Sequence, residues 1–350
     1  MLNIIQRLDQ DRFAPAVCVS KMGGRLDDVV LAMGIPLIEA PFTVPAKPYH
    51  RLYARARTAA HVFKSHGFDL WHSFHYGDDY SEPIIARLSG AKAWVYTKKN
   101  MNWHQNAWLL RSLLAAGIAA QNTDMLKDFF KSWPFRSKVK LIPRGVEALH
   151  FKPCKVDRFA YRAALGVTQD VVLVGLVAHL VPVKGHALLV AAAAYRPGVH
   201  LVFAGRAYDQ AYVEQLEAQV KQLGLQGRVH FVGNVADMPH FLAQMDIIAL
   251  PTLSRGEGCP VALLEAMACA KACIATDVPG SRDLIQDSVT GLLVPPEDPD
   301  ALAGAIQRLA GDPDLRTRLG TAARQRVKAH YTIEQEVAAH EQLYREILKI

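Results

Sequence analysis

From residue 14 onward short apolar runs alternate with stretches whose apolar positions recur three or four apart, and each pair is separated by a polar or glycine-containing turn. The apolar runs predict strands at 14–20, 36–38, 69–74, 92–97, 118–121 and 138–142. The intervening patterns predict helices at 25–33, 49–66, 82–88, 106–115 and 123–132. The same alternation returns after residue 157, with helices at 158–165, 186–195, 210–223 and 238–243 and strands at 171–177, 199–204, 228–232 and 247–250. Helices at 298–310, 312–329 and 332–348 finish the chain, and no repeat or low-complexity stretch interrupts it. Repeated strand-then-helix units imply α/β architecture with parallel, doubly wound sheets. Two such series predict two domains, 1–145 and 146–330, with a C-terminal helix at 331–350.

One stretch, DIIALPTLSRGEGCPVALLEAMACAKACIATDVPG (246–280), concentrates the chemistry. A strand leads through a turn-rich loop ending Gly256-Glu257-Gly258 into a helix with Pro260 near its first position. The unpaired N–H groups of a helix start, beside small glycines, suit an anion such as a phosphate. Glu257 falls in the loop and Glu265 in the helix, where it could accept hydrogen bonds from a ribose diol. Phosphate plus ribose means a nucleotide. On the two glutamates alone, a solvated loop charge and an ordinary helix carboxylate remain equally open.

The surrounding words decide more. EGCPVALLEAMACA, VVLVGLVAHLVPVKG (171–185), RVHFVGNVADMPHFLAQMDI and VTGLLVPPEDPDAL resemble the donor-binding half of the retaining GT-B glycosyltransferases of family 4. The likeness covers most of residues 138–311 and extends more weakly into the N-terminal half. IPRGVEALHFKP (142–153) matches the family's interdomain element, with Arg144 for its Asn and Glu147 for its Asp. The resemblance implies two Rossmann-like doubly wound domains facing a cleft, and a nucleotide-sugar co-substrate with no cofactor and no metal. It further implies Lys184 and Glu257 as catalytic residues, and His179, Gly185, Gly205, Asn234, Gly258, Cys259, Pro260, Val261 and Glu265 as donor-binding. His179 stands where the family has an arginine, a weaker clamp for a diphosphate. Asp283 stands where it usually has glutamate. The Asp pairs Asp9/Asp11, Asp298/Asp300 and Asp312/Asp314 read as caps and turns, not metal ligands.

The N-terminal half carries the acceptor-side candidates. WHSFHYGDDY follows a predicted strand, where open sheets place ligands, and supplies His75. TKKNMNWHQNAW (97–108) supplies Lys99, at the position where the family often has a sugar-contacting histidine, and His104. Residues 1–150 carry twenty Lys and Arg against twelve acids, whereas 151–350 carry twenty against twenty-one. That basic half suits an anionic acceptor or an anionic membrane surface, with a merely solvated basic face the equal alternative; the helix at 49–66, with Arg51, Arg55, Arg57 and Lys64, is one candidate docking face, though an ordinary core-packing helix with a wet face is the stronger reading of it. No nucleic-acid module accompanies it.

No run of 18 apolar residues could span a bilayer. No secretory leader is visible in MLNIIQRLDQ. Cys18, Cys154, Cys259, Cys269 and Cys273 form no paired framework, which points to a reduced, cytoplasmic setting, or a peripheral one on the cytoplasmic membrane face. Family members open with an apolar strand and a Gly-Gly loop, whereas this sequence opens on what reads as the following helix. The first strand of the N-terminal sheet, central in the order 3-2-1-4-5, is therefore expected to be missing, as in a truncated product.

The expected activity is metal-independent hexosyl transfer, with retention, to a glycan or lipid-linked acceptor in cell-surface polysaccharide or glycolipid synthesis. The rival is a non-catalytic or degenerate nucleotide-sugar-binding relative. A nicotinamide dehydrogenase is disfavoured because no G-x-G-x-x-G follows a strand. An epimerase would share the donor site, but the E-G-x7-E-A-M-A wording favours transfer.

Overall fold

A computed structural model describes the chain except residues 78, 103, 104, 255 and 256. It divides into two compact units, residues 1–143 with 333–350, and residues 144–332.

The first unit runs α1 (Leu2–Ile5), β1 (Val17–Val19), α2 (Arg25–Ala32), β2 (Leu37–Glu39), α3 (Leu52–Lys64), β3 (Leu70–Ser73), α4 (Ser81–Ser89), β4 (Ala93–Lys98), α5 (Gln105–Leu114), β5 (Gly117–Ala120), α6 (Thr123–Asp128) and β6 (Val139–Leu141). All strand pairs are parallel, as the alternation predicts. The sheet is interrupted, however. β1 pairs with β2 in one piece, and β3-β4-β5-β6 form another. Both pieces share cover: Cys18 and Ile38 on one side of the break and Trp71 on the other pack against Ala56, Ala59, Ala60 and Phe63 of α3. On the opposite face Ile5 packs with Val17, and Ile4 with Leu70 and Val95.

Boundary differences have local causes. The helix expected at 49–66 opens as a 3-10 turn, Tyr49–Arg51, before α3. The one expected at 123–132 stops at Asp128, after which Phe130 and Phe135 turn into the core with Met125 and Trp108.

The second unit runs α7 (Arg158–Ala164), β7 (Val172–Val177), α8 (His186–Ala194), β8 (Val199–Ala204), α9 (Gln210–Gln222), β9 (Val229–Gly233), α10 (Met238–Gln244), β10 (Ile247–Leu250), α11 (Val261–Ala268), β11 (Ala272–Thr276), α12 (Ser281–Leu284), β12 (Leu292–Val294), α13 (Pro299–Gly311) and α14 (Pro313–His330). Its parallel sheet is continuous, in the order β12-β11-β10-β7-β8-β9. β11 and β12 were not anticipated: ACIAT and LLV are short apolar runs without a period of their own. The chain leaves β7 toward β8 and β9, then returns to the other side of β7 for β10. Between β7 and β10 lies the topological switch point, and ligands of open sheets bind beyond the strand ends there. Asp298 and Asp312 cap α13 and α14 through the N–H groups of Ala301 (2.9 Å) and Leu315 (2.8 Å), as their spacing suggested.

The last helix, α15 (Ile333–Leu348), belongs to the first unit, where Ile333, Val337 and Tyr344 pack with Ile4 and Val95. Among the described residues no helix is long and apolar enough to cross a membrane.

Candidate active site

The second unit opens a cavity of about 270 Å³ at the strand ends flanking the switch point, with Val177 of β7, Ala204 of β8 and Leu250 of β10 in its wall. Two glycines let backbone come close enough to form it. Gly185 has φ +74° and a side chain there would meet the Pro251 carbonyl oxygen at 1.9 Å. Gly205 has φ +158° and its side chain would meet the Ala178 carbonyl oxygen at 1.8 Å. Any other residue would push these segments apart.

That closeness sets the charges. The turn before Gly185 is laced to the β10 loop by Leu253 N–H donating to Val183 O (2.9 Å). Lys184, on this turn, thereby reaches Glu257 at 2.7 Å, with 22% and 18% of the two side chains exposed. Thr252 Oγ1 donates to the other carboxylate oxygen of Glu257 (2.7 Å), and Thr276 Oγ1 holds Thr252 through its carbonyl (2.6 Å). The Glu257 N–H donates to Pro279 O (3.0 Å). The glutamate is thus fixed at its backbone and at both oxygens.

α11 starts at the same wall. Pro260 is its N-cap, one place before the first helical position expected for it, and Pro260, Val261 and Ala262 line the cavity. The N–H groups of Val261 and Ala262 have no carbonyl ahead of them in the helix, so the positive end of α11 faces the space. Glu265 sits one turn beyond Val261 on the same face. Burial pushes its carboxyl up to about 7. Gly258 and Cys259 form the approach to this helix.

His179, Lys184, Gly205, Asn234, Glu257, Pro260 and Val261 all line the one cavity, so seven residues dispersed over the sequence converge. Arg206 lines it too and was not anticipated. The signal was available: it follows Gly205 at the end of an apolar strand. Its carbonyl accepts from Leu180 N–H (3.0 Å), and Gly205 N–H donates to Gly233 O (2.8 Å). The Tyr208 ring lies 5.2 Å from the Arg206 guanidinium carbon and edge-on to His179 at 4.8 Å between centroids.

In the first unit, His75 follows β3. Gly77 N–H donates to its Nδ1 (2.9 Å), which leaves the Nε2 proton for Glu82 (2.7 Å). Glu82 also accepts from Trp71 Nε1 (3.0 Å) and pairs with the buried guanidinium of Arg111 (3.0 Å). Burial would raise the Glu82 carboxyl, but His75 and Arg111 outweigh it and leave the group below its ordinary value. Lys99 lies over the Tyr76 ring at 4.5 Å and is thereby brought to the same loop as His75. His104 lies outside the described residues.

A continuous switch-point sheet in one unit, with parallel strands and helices alternating in both, is the two-Rossmann GT-B fold. Solved structures agree: a glycosyltransferase from Rickettsia africae superposes with TM-score 0.87 at 21% identity, covering 99% of this chain and 94% of that one. The Anabaena protein HepE, crystallised in complex with UDP, gives 0.84 at 22%, with the same coverage. Residues 157–326 match the family described as Glycosyl transferases group 1. Among curated relatives, the GDP-mannose-dependent monoacylated alpha-(1-6)-phosphatidylinositol monomannoside mannosyltransferase of Corynebacterium glutamicum is 32% identical over 60% of this chain. The match spans about half that relative's length, 56%.

Proposed function

We propose that the protein is a glycosyltransferase that moves a hexosyl group, with retention and without a metal, from a nucleotide sugar to a glycan or lipid-linked acceptor. The observation that carries this reading is the Lys184–Glu257 pair set beside the positive end of α11 in one cavity. Departure of a nucleoside diphosphate builds negative charge at the leaving group as the sugar becomes oxocarbenium-like. Fixed cations and oriented N–H groups answer that charge without reorganising. In this reading the Lys184 ammonium turns from Glu257 to the diphosphate, helped by Arg206, by the N–H groups of Val261 and Ala262 and by the backbone at Gly185, Gly258 and Cys259. Glu257, relieved of its partner, accepts from sugar hydroxyls. Glu265 takes the ribose diol, and Gly205 and Asn234 shape the wall near the base. His75 and Lys99 of the first unit are assigned to the acceptor, and His104 is retained in that role.

The curated relative named above is GDP-mannose-dependent and the HepE crystals contain UDP. The deciding experiment is a thermal-shift screen of UDP- and GDP-sugars, followed by transfer from the stabilising donor to membrane lipid extracts. Stabilisation by a nucleotide sugar together with a labelled glycolipid supports the reading; stabilisation by none contradicts it.

His179 favours a second reading, a nucleotide-sugar binder that has lost turnover. His179→Arg would place a full charge on the cavity wall, and a rise in transfer rate supports the enzyme. No transfer by either protein, with donor binding intact, supports the binder. The cell-surface and cytoplasmic-face assignments rest on the lipid-linked acceptor and stand or fall with it.

A further inference from the structure

Helix α5 is inside out. A surface helix ordinarily turns its polar positions to water and its apolar ones to the core. Here Trp108, Arg111 and Ser112 are buried, while Leu109, Leu110, Leu113 and Leu114 lie between 39% and 44% exposed on the other face. The burial of Arg111 is built, not accidental: its guanidinium donates to Ser73 Oγ (2.7 Å), pairs with Glu82 (3.0 Å) and stacks 4.7 Å from the Trp94 ring. Ser112 shares a hydrogen bond with Tyr96 OH (2.6 Å). With both polar side chains bonded inward, through the terminal nitrogens of Arg111 and the hydroxyl of Ser112, four leucines remain facing out, the kind of patch that marks an interaction surface.

The segment after α6 extends this face. Phe130 and Phe135 enter the same core as Trp108, and Trp133 between them in sequence is 87% exposed. Lys138 donates from Nζ to Leu113 O at 2.8 Å, which ties the end of this segment to the last turn of α5. Lys131 and Arg136 flank Trp133 and are exposed. Leucines, an indole and cations together match what a membrane boundary rewards: leucine toward the acyl chains, tryptophan at the headgroups, lysine and arginine at anionic phosphates. A second copy of the chain would instead set these cations against their own kind.

We propose that the leucine face of α5 and residues 131–138 dock the first unit on an anionic lipid surface. The inference deepens the lipid-linked-acceptor reading and rests on it for its purpose, though not for its geometry. It also moves the docking face away from α3, whose Arg55 is spent on its own chain, donating to Pro45 O (2.6 Å) and Lys47 O (2.7 Å).

The test is co-sedimentation of the full chain with phosphatidylcholine vesicles, and with vesicles of phosphatidylcholine and phosphatidylglycerol in equal amount. Binding is expected to the second kind only and to weaken with salt. Leu110→Glu with Leu114→Glu should reduce it by about tenfold or more, since each puts a charge where apolar contact is needed. Trp133→Ala, at a site too exposed to affect folding, should reduce it less. Failure to bind anionic vesicles, or undiminished binding by both variants, overturns the proposal. So does a dimer, seen by sedimentation velocity, that the leucine substitutions dissolve. No sugar transfer enters these readouts, so their failure leaves the donor reading where it stood.

Discussion

Each unit places one cation–glutamate pair beyond the ends of its strands, and the two pairs have opposite surroundings. Arg111 and Glu82 are 1% and 2% exposed, and Trp71, Ser73, His75 and the Asp79 carbonyl supply further hydrogen bonds to them. Lys184 and Glu257 are 22% and 18% exposed on a cavity wall. A buried pair ringed by partners has nowhere else to send its charge, so it can only hold structure. A pair of similar chemistry at a cavity can exchange its partner for a ligand at small cost, because water and the ligand are both within reach.

The largest expected effect tests the buried pair. Glu82→Ala strands the Arg111 guanidinium, and unfolding free energy should fall by about 3–5 kcal/mol in a denaturant titration. A drop under about 1 kcal/mol would mean that the pair is not holding the first unit together.

At the cavity the balance reverses. Lys184→Ala should change stability less than Glu82→Ala does, because Glu257 keeps its bond from Thr252 and water in the cavity can replace the lost ammonium. Turnover should fall by about 10²–10³, as for loss of one fixed group at a developing charge. If the Michaelis constant rises while turnover holds, Lys184 binds donor and transition state alike.

A smaller effect should appear on titration. The Glu265 carboxyl stands at about 7, above its ordinary 4.5, because burial disfavours the charged form. Between these values the folded protein keeps a proton that the unfolded chain releases. The stability this group contributes is therefore greatest at low pH and is lost as pH rises toward 7. Donor binding should run the other way, since ribose hydroxyls need the carboxylate. With half the groups charged near pH 7, affinity at pH 6 should be about tenfold below that at pH 8. A flat profile would place Glu265 away from the donor.

The contrast between the pairs also marks what the sequence could reveal. Lys184 and Glu257 stood in short strand–turn–helix words whose glycines and proline fix local geometry, so their convergence was readable before any fold, whereas Glu265 lies one turn further into α11 and is not among the residues lining the cavity. The doubly wound layout was readable as well, from the alternation of periods. Arg111 was not: a helical arginine is expected in water, and Glu82, Ser73 and the Asp79 carbonyl, all far off in the chain, make its burial tolerable. Lys98 was hidden for the same reason, buried through bonds to Asn100 Oδ1 (2.7 Å) and the Asn102 carbonyl and over the Trp108 ring. β11 escaped although it is as fully buried as β10, which the same kind of apolar run revealed, and β12 is only 3 residues long. Arg206 escaped because an exposed arginine after a glycine looks like any loop charge until Gly205 and Gly233 are seen to hold it at the cavity.

The claim at the centre is that the second unit's cavity holds the nucleotide of a sugar donor with Glu265 on its ribose. Calorimetric titration of UDP and GDP into the full chain and into Glu265→Ala at pH 8 addresses it directly. One of the nucleotides should bind the parent chain and bind the variant more weakly by roughly 1.5–3 kcal/mol, the size of a charge-assisted hydrogen-bond loss. Equal affinity for both proteins, or no binding of either nucleotide, would contradict it.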